Sequence, residues 1–344
     1  MRNSWKTYSL SLPFLGILLC ISLLLSLSVG AYSMDLSEIW GAIFTAENEA
    51  ESFLILNIRL PRILLTAITG AGLAISGAAI QGLFRNPLAD QTLIGVSSGA
   101  MLFAVLSIVF FGSLLSTFSE IFRYASIAIF AFVGGLISTY VVYFLSRKGG
   151  RTHVVTMLLA GIAISAFAAA ISGIFIYLSD EQQLRDITFW SMGSFSAASW
   201  SQILISAPIV LVCIVVLISY SGSLNALLLG ETEAIYLGFE VEKIKTRIIS
   251  VTAIVVGICI AMSGIIGFVG LIIPHFLRLM KGSDYRYLMK SSALVGAIFL
   301  VGADTLARTI IMPAELPIGI LTAIVGAPFF LWLLIKTQKD KFLI

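Results

Sequence analysis

Runs of about twenty apolar residues, the length a helix needs to cross a lipid hydrocarbon core, recur along the whole chain. They occupy residues 10–31, 63–83, 93–112, 121–145, 154–178, 200–220, 248–267, 271–280, 293–311 and 318–335. That is about ten helices, the eighth being short. Hydrophobic residues make up 59% of the chain and charged ones 11%, where a soluble domain carries about 25% charged residues. A water-exposed surface has no place for so much apolar area, so the fold class expected is an all-α polytopic membrane protein. The first run follows Arg2 and Lys6 and ends in Val29-Gly30-Ala31, like a signal peptide. It is longer than a secretory core and opens a polytopic chain, so it reads as an uncleaved first span. Cys20, Cys213 and Cys259 each stand alone in an apolar run, which suggests neither a disulfide framework nor a metal cluster.

Charge sets the expected orientation. With the N-terminus inside, sixteen of the 21 Lys and Arg residues fall on the cytoplasmic side, among them Arg147, Lys148, Arg151, Lys243, Lys245 and Arg247. Arg59, Arg62, Arg123, Arg185 and Arg308 fall outside, and the first outer loop carries only acids. By the positive-inside rule both termini are cytoplasmic, and the net charge of +3 reflects topology, not a nucleic-acid footprint. Thr66-Ala67-Ile68, Ser76-Gly77 and Pro87 are echoed by Thr252-Ala253-Ile254, Ser263-Gly264 and Pro274. An offset of five spans would invert the second copy, as in inverted-repeat transporters; chance similarity between apolar helices is the alternative.

One stretch breaks the apolar pattern. Residues 229–247, LGETEAIYLGFEVEKIKTR, hold four glutamates, two lysines and an arginine in nineteen positions. Glu231 and Glu233 suit a helix N-terminus and Gly238 a left-handed helix end. Ile235, Leu237 and Phe239 are too few to span a membrane but enough to fill a groove on a partner. A solvated surface loop is the alternative.

Three segments carry a resemblance. They are RLPRILLTAITGAGLAISGAAIQGLFRNPLADQTLIGVSSGA from Arg59, GFVGLIIPHFLR from Gly267 and AELPIGILTAIVGAPFFLWLL from Ala314. In order and spacing they resemble the permease subunits of ABC importers for ferric siderophores, haem and vitamin B12, the type II importers. The resemblance implies one transmembrane permease domain over residues 1–344, ten helices per subunit, and a homodimer with the pathway at its interface. It also implies two copies of an ABC ATPase on the cytoplasmic side, a soluble substrate-binding protein outside, and a bacterial inner (cytoplasmic) membrane. Residues 223–246 resemble the cytoplasmic coupling loop of that family, which puts Gly230, Glu231, Glu233, Ala234, Leu237, Gly238 and Phe239 against the ATPase. The chain has no G-x-x-x-x-G-K-[ST] phosphate loop. It is therefore read as a transport subunit, not an enzyme, binding no cofactor of its own, with ATP and magnesium on the partner ATPase.

Outer charges are the remaining candidates. In the permeases this chain resembles, the positions of Arg59, Arg62 and Arg308 form salt bridges to glutamates of the binding protein. Snorkelling to the interface is the alternative for Arg59 and Arg62, and an i,i+4 pair with Asp304 is the alternative for Arg308. The outer segment SDEQQLRDITFWSMGS, from Ser179, resembles the haem-importing branch in its QLRDITFWSMGS portion. Haem has two carboxylates and a broad apolar ring. Arg185 suits a propionate, while Phe189, Trp190 and Met192 suit an apolar path; pairing of Arg185 with Asp180 or Asp186 is the alternative. His153 and His275 lack neighbouring ligands at metal spacing. The function expected is ATP-driven haem import, with siderophore or vitamin B12 import as the near alternative. An ion-coupled carrier is the distant one, because Asp304 is nearly the only mid-membrane acid.

Overall fold

The computed structural model describes residues 11–30, 32–45, 48–115 and 120–341, with side chains given outside 111–124, 333–334 and 336–341. Arg2 and Lys6 lie outside the described residues, as do the side chains of Arg123, Lys336, Lys339 and Lys341. Helices α1 (Leu12–Ser28), α2 (Leu36–Phe44), α3 (Glu49–Phe53), α4 (Leu60–Leu83), α5 (Val96–Leu115) and α6 (Glu120–Ser146) lead to a small hairpin of β1 (Arg147–Lys148) and β2 (Arg151–Thr152). Then follow α7 (Val154–Tyr177), α8 (Glu181–Met192), α9 (Trp200–Ser219), α10 (Ser221–Leu229), α11 (Glu231–Tyr236), α12 (Val241–Ser263), α13 (Val269–Lys281), α14 (Tyr285–Ala307) and α15 (Ile318–Lys341). In lipid every backbone polar group needs a partner within the protein, which restricts spanning segments to helices or closed barrels. The chain starts its helices with polar caps: Ser11 ahead of Pro13 for α1, Asp180 with Gln183 for α8, and Ser199 with Gln202 for α9.

Each apolar run coincides with a helix. Among the described residues six are long and apolar enough to cross a membrane, and α1, Val96–Phe110 and Ile318–Trp332 are shorter apolar helices. At 13 residues, α13 is about 20 Å long, short of the roughly 30 Å hydrocarbon core. The second run extends further than its hydropathy indicates: α3, a π-helical segment Leu54–Arg59 and α4 form one helix of 35 residues, Glu49–Leu83. The indole Nε1 of Trp200 donates to the π-segment carbonyl of Leu56 at 2.8 Å.

Helix α4 is the centre of the molecule. Its apolar window is 78% buried, whereas that of α7 is 17% buried. The small residues of α4 explain this: Gly70 lies against the backbone of Gly296 on α14, and Gly77 against the backbone of Gly270 on α13. Small residues permit such approach in a medium where apolar burial alone drives nothing. Pro274 in α13 has no N–H for the carbonyl four residues back, that of Gly270. Gln81 of α4 supplies a donor instead, with Nε2 3.3 Å from Gly270 O and 3.2 Å from Leu271 O. Its Oε1 accepts from Arg278 Nη1 at 3.0 Å, and Arg278 Nη2 donates to Tyr285 Oη at 3.0 Å.

These bonds also separate two ends of the bundle. One holds the C-terminus of α4, the hairpin, α10, α11 and the starts of α12 and α14; the other holds Arg59, Arg62, Asp304 and Arg308. Asn225 of α10 joins the first end by donating to Asp284 at 2.7 Å. That bond, with the backbone N–H of Arg286, holds the Asp284 carboxyl below the usual range. Its contribution is present at neutral pH and is lost as pH falls through the depressed value. Helices α4 and α12, which carry the sequence echo, run in opposite directions between the ends.

A methyl group at Gly77 would collide with the Gly270 backbone, whereas Gly173 on α7 has no neighbour within 4 Å. Gly77→Ala is expected to destabilise the chain by about 1–3 kcal/mol in a thermal or denaturant unfolding series in detergent. Gly173→Ala is expected to be neutral or stabilising.

Candidate functional site

At the end carrying the C-terminus of α14, three arginines converge in the interior, only 4% (Arg59), 8% (Arg62) and 8% (Arg308) exposed. Arg62 Nε lies 2.9 Å from Asp304 Oδ2, and Nη2 lies 2.9 Å from Asp304 Oδ1, a bidentate pair between α4 and α14. Its Nη1 bonds both oxygens of Glu315, at 2.8 and 2.9 Å. Arg59 donates to the carbonyls of Leu27 and Tyr32, and Arg308 to the carbonyl and hydroxyl of Ser26. All three guanidinium groups are therefore engaged internally in this conformation. Asp304 pairs with Arg62 and not with Arg308, the local i,i+4 alternative. The reason is the helix end: Arg308 is the C-cap of α14, and its side chain turns towards α1. Sequence spacing gave no sign of Ser26, Tyr32 or Glu315 as partners, because they are distant in the chain.

On α8, Arg185, Phe189 and Met192 fall at spacings of four and three, one face of a helix. Arg185 and Phe189 are exposed and Met192 is half-buried. Trp190 points elsewhere and packs against the main core, so the structure separates it from the other three. The two acids that offered Arg185 a local pair are otherwise occupied. Asp180 Oδ1 accepts from the Gln183 N–H at 2.8 Å, and Asp186 Oδ1 from Gln182 Nε2 at 3.2 Å. His275 is buried on α13 with its ring edge-on to Phe329, 6.5 Å between centroids.

The charged insert folds as the short helix α11, which follows α10 at Gly230, and the first turns of the long helix α12. Helix α11 ends as its sequence predicts: Gly238 takes φ of 87°, its N–H bonds Ile235 O at 2.9 Å, and Phe239 N–H bonds Ala234 O at 3.0 Å. This pair of bonds is the Schellman closure. Ala234 is fully buried and Phe239 packs on the core, while Glu233, Ile235, Tyr236 and Leu237 are exposed. Glu231 turns inward. Its Oε2 lies 2.8 Å from Lys245 Nζ, which also bonds Glu242 Oε1 at 3.1 Å and Thr152 O at 3.1 Å. The Lys245 side chain is 2% exposed, so this ammonium ties α11 to α12 and to the hairpin. Lys245 reads in sequence as one of several membrane-face lysines. Its spacing of three from Glu242 was the only local signal of an ion pair.

Removing one member of a buried pair strands the other charge. Asp304→Ala is expected to lower unfolding stability by about 3–5 kcal/mol. The Arg62→Ala/Asp304→Ala double variant is expected to lose markedly less than the two single losses added, a non-additivity that a double-mutant cycle reads directly.

Comparison with known proteins agrees with this architecture. The profile of the FecCD transport family matches residues 18–336. The chain is 44% identical to the hemin transport system permease protein HmuU of Yersinia pestis over 335 residues, 96% of this chain and 97% of that one. It is 38% identical to the vitamin B12 import system permease protein BtuC of Vibrio cholerae over 316 residues, 92% and 93% of the two chains. A solved inward-facing structure of a metal-chelate type ABC transporter superposes with a TM-score of 0.81 at 37% identity, covering 94% of this chain and 98% of that one. The chain belongs to the FecCD transport family of ABC importer permeases.

Proposed function

We propose that this permease moves haem across a bacterial cytoplasmic membrane. In this reading two copies pair around the pathway, each of ten crossings with both termini inside. Two ATPase subunits that hold ATP and magnesium sit beneath, and a substrate-binding protein docks outside. The observation that carries the haem reading is Arg185. It is an exposed guanidinium with no carboxylate partner among the described residues, aligned with Phe189 and Met192 on α8, which suits a flat apolar ligand bearing propionates. The 44% identity to a hemin permease supports the same choice, and vitamin B12 or a ferric siderophore is the competing cargo.

For coupling, the exposed Ile235, Tyr236 and Leu237 of α11 are the side chains that would enter a groove on the ATPase, with Glu233 beside them. Gly230 and Gly238 bound the helix, while Ala234, Phe239 and Glu231 anchor it. Docking through Arg59, Arg62 and Arg308 would require an exchange of partners. Glu315, 40% exposed in its side chain, is the carboxylate that an incoming glutamate would displace from Arg62.

The test is uptake into proteoliposomes containing the permease, its ATPase and its binding protein, offered haem, cobalamin or a ferric siderophore with and without ATP. ATP-dependent uptake of haem alone is expected. Arg185→Ala is expected to reduce it about tenfold, the worth of one charge-assisted contact, with the complex intact. Uptake of a different cargo, or haem uptake indifferent to Arg185→Ala, overturns the substrate assignment.

A further inference from the structure

Lys245 lies near the start of α12, with its side chain 2% exposed. An ammonium has three N–H bonds to donate, and burial leaves each of them in need of an acceptor. The acceptors come from three different elements. Glu231 Oε2 of α11 lies at 2.8 Å, Glu242 Oε1 of α12 at 3.1 Å, and the Thr152 carbonyl of β2 at 3.1 Å. Among the described residues, Lys245 is the one side chain bonded to both α11 and the hairpin.

The hairpin presents its backbone to this cluster. Its turn, Gly149-Gly150, has φ of 60° and 77°, the two-residue geometry that matches strand twist. Arg147 faces Thr152 across the ladder, and the adjoining pair is closed by the His153 N–H, which donates to Ser146 O at 3.0 Å. Bonded and non-bonded pairs alternate along an antiparallel ladder, so Thr152 turns its own N–H and C=O outward. Helix α12 takes both. Glu242 Oε2 accepts the N–H at 2.9 Å, and Lys245 donates to the carbonyl. Thr152, 5% exposed, is thereby clamped at both backbone groups.

The clamp sits where two rigid elements begin. His153 is the N-cap of α7, a helix of 24 residues that leads through Asp180 into α8, the helix of Arg185. On the other side, Glu231 opens α11, whose Ile235, Tyr236 and Leu237 are exposed. A buried ammonium with its carboxylates is no more stabilising than a well-packed apolar side chain of similar volume. An apolar side chain here would leave α11 and the hairpin unlinked. Hydrogen-bond networks between rigid elements are what carry coupling across a protein, and Lys245 forms such a link between elements far apart in the chain.

We propose that Lys245 is a positioning residue for energy coupling: a displacement of α11 by the ATPase reaches the hairpin and the start of α7 through its bonds to Glu231 and Thr152. This role rests on the reading of α11 as the ATPase contact, and it requires no choice of cargo. The covalent route from α11 through Gly238 moves α12 alone. The ammonium makes α7 move with it.

The experiment is hydrogen–deuterium exchange of the full-length permease in complex with its ATPase, without nucleotide and with ATP and vanadate, read on peptides covering residues 147–153. In wild type the hairpin's deuterium uptake is expected to change severalfold between the two states, since exchange reports local opening. Lys245→Met is expected to lose most of that change with the ATPase still bound, because the buried side chain presents nothing to a partner. Glu231 and Glu242, with side chains 37% and 33% exposed, reach water when the ammonium is removed, so the variant is expected to fold. If it does not, Glu231→Ala cuts the α11 bond and leaves Lys245 on Glu242 and Thr152. That variant is expected to lose the nucleotide response while basal uptake stays at the wild-type level, a pattern that structural support alone would not produce. Leu237→Asp, on the exposed side of α11, is expected to release the ATPase. A full nucleotide response in folded Lys245→Met or Glu231→Ala, with the ATPase bound, overturns the proposal alone, as does the lack of any response in wild type. Leu237→Asp that keeps both the ATPase and the response overturns the reading of α11, and the proposal with it.

Discussion

The contact on which the rest of the bundle depends is the approach of α4 to α14 and α13, backbone against backbone at Gly70–Gly296 and Gly77–Gly270. Lipid offers apolar side chains the same environment as a protein interior, so helices associate through close packing and polar bonds. Helix α4 uses both along its length. Glycines bring its middle near its neighbours, Arg62 bonds Asp304 near one end, and Gln81 bonds Gly270, Leu271 and Arg278 near the other. Gln81 also shows why Pro274 is tolerated within α13: the carbonyl that the proline leaves without an N–H is reached by a side chain from the next helix. This is the condition on which a broken backbone ladder persists in a membrane.

The two polar ends differ in how they hold charge. Around Arg62 the arginines are buried: Arg62 pairs with Asp304 across α4 and α14, while Arg59 and Arg308 bond oxygens of Leu27 and Ser26 on α1, which ties the ends of the three helices together. At the opposite end the buried ammonium of Lys245 gathers Glu231, Glu242 and the carbonyl of Thr152. The short helix α11 is consequently not a free loop. It is closed by Gly238, anchored through Ala234 and Phe239, and bonded to the first turn of the 23-residue helix α12. A force applied to its exposed Ile235, Tyr236 and Leu237 would pass into α12 through short, well-supported links. On the coupling role proposed for α11, those links would carry a change in the ATPase to the membrane helices.

Much of this was legible in local sequence. Apolar runs of helical length located the helices because a spanning helix must be apolar along its own stretch. The cap at Gly238 was legible because glycine's freedom at positive φ is a property of one residue. Less of the charge chemistry could be read. Asp304 and Arg308 stand four apart on one helix, yet the carboxylate belongs to Arg62, 242 residues away in sequence.

The sequence by itself therefore determined that the chain lives in lipid, where its helices lie, how α11 ends, and which family it resembles, since each depends on short stretches and on pattern. Tertiary structure decided which charge meets which: Arg62 with Asp304 and Glu315, Arg308 with Ser26, Lys245 with Glu231 and Thr152. It also decided that Arg59, Arg62 and Arg308 face inward and that Trp190 leaves the face of Arg185. The physical reason is desolvation. A charge buried among helices must take whichever partner the packing brings within about 3 Å, and packing is set by contacts between residues far apart in the chain.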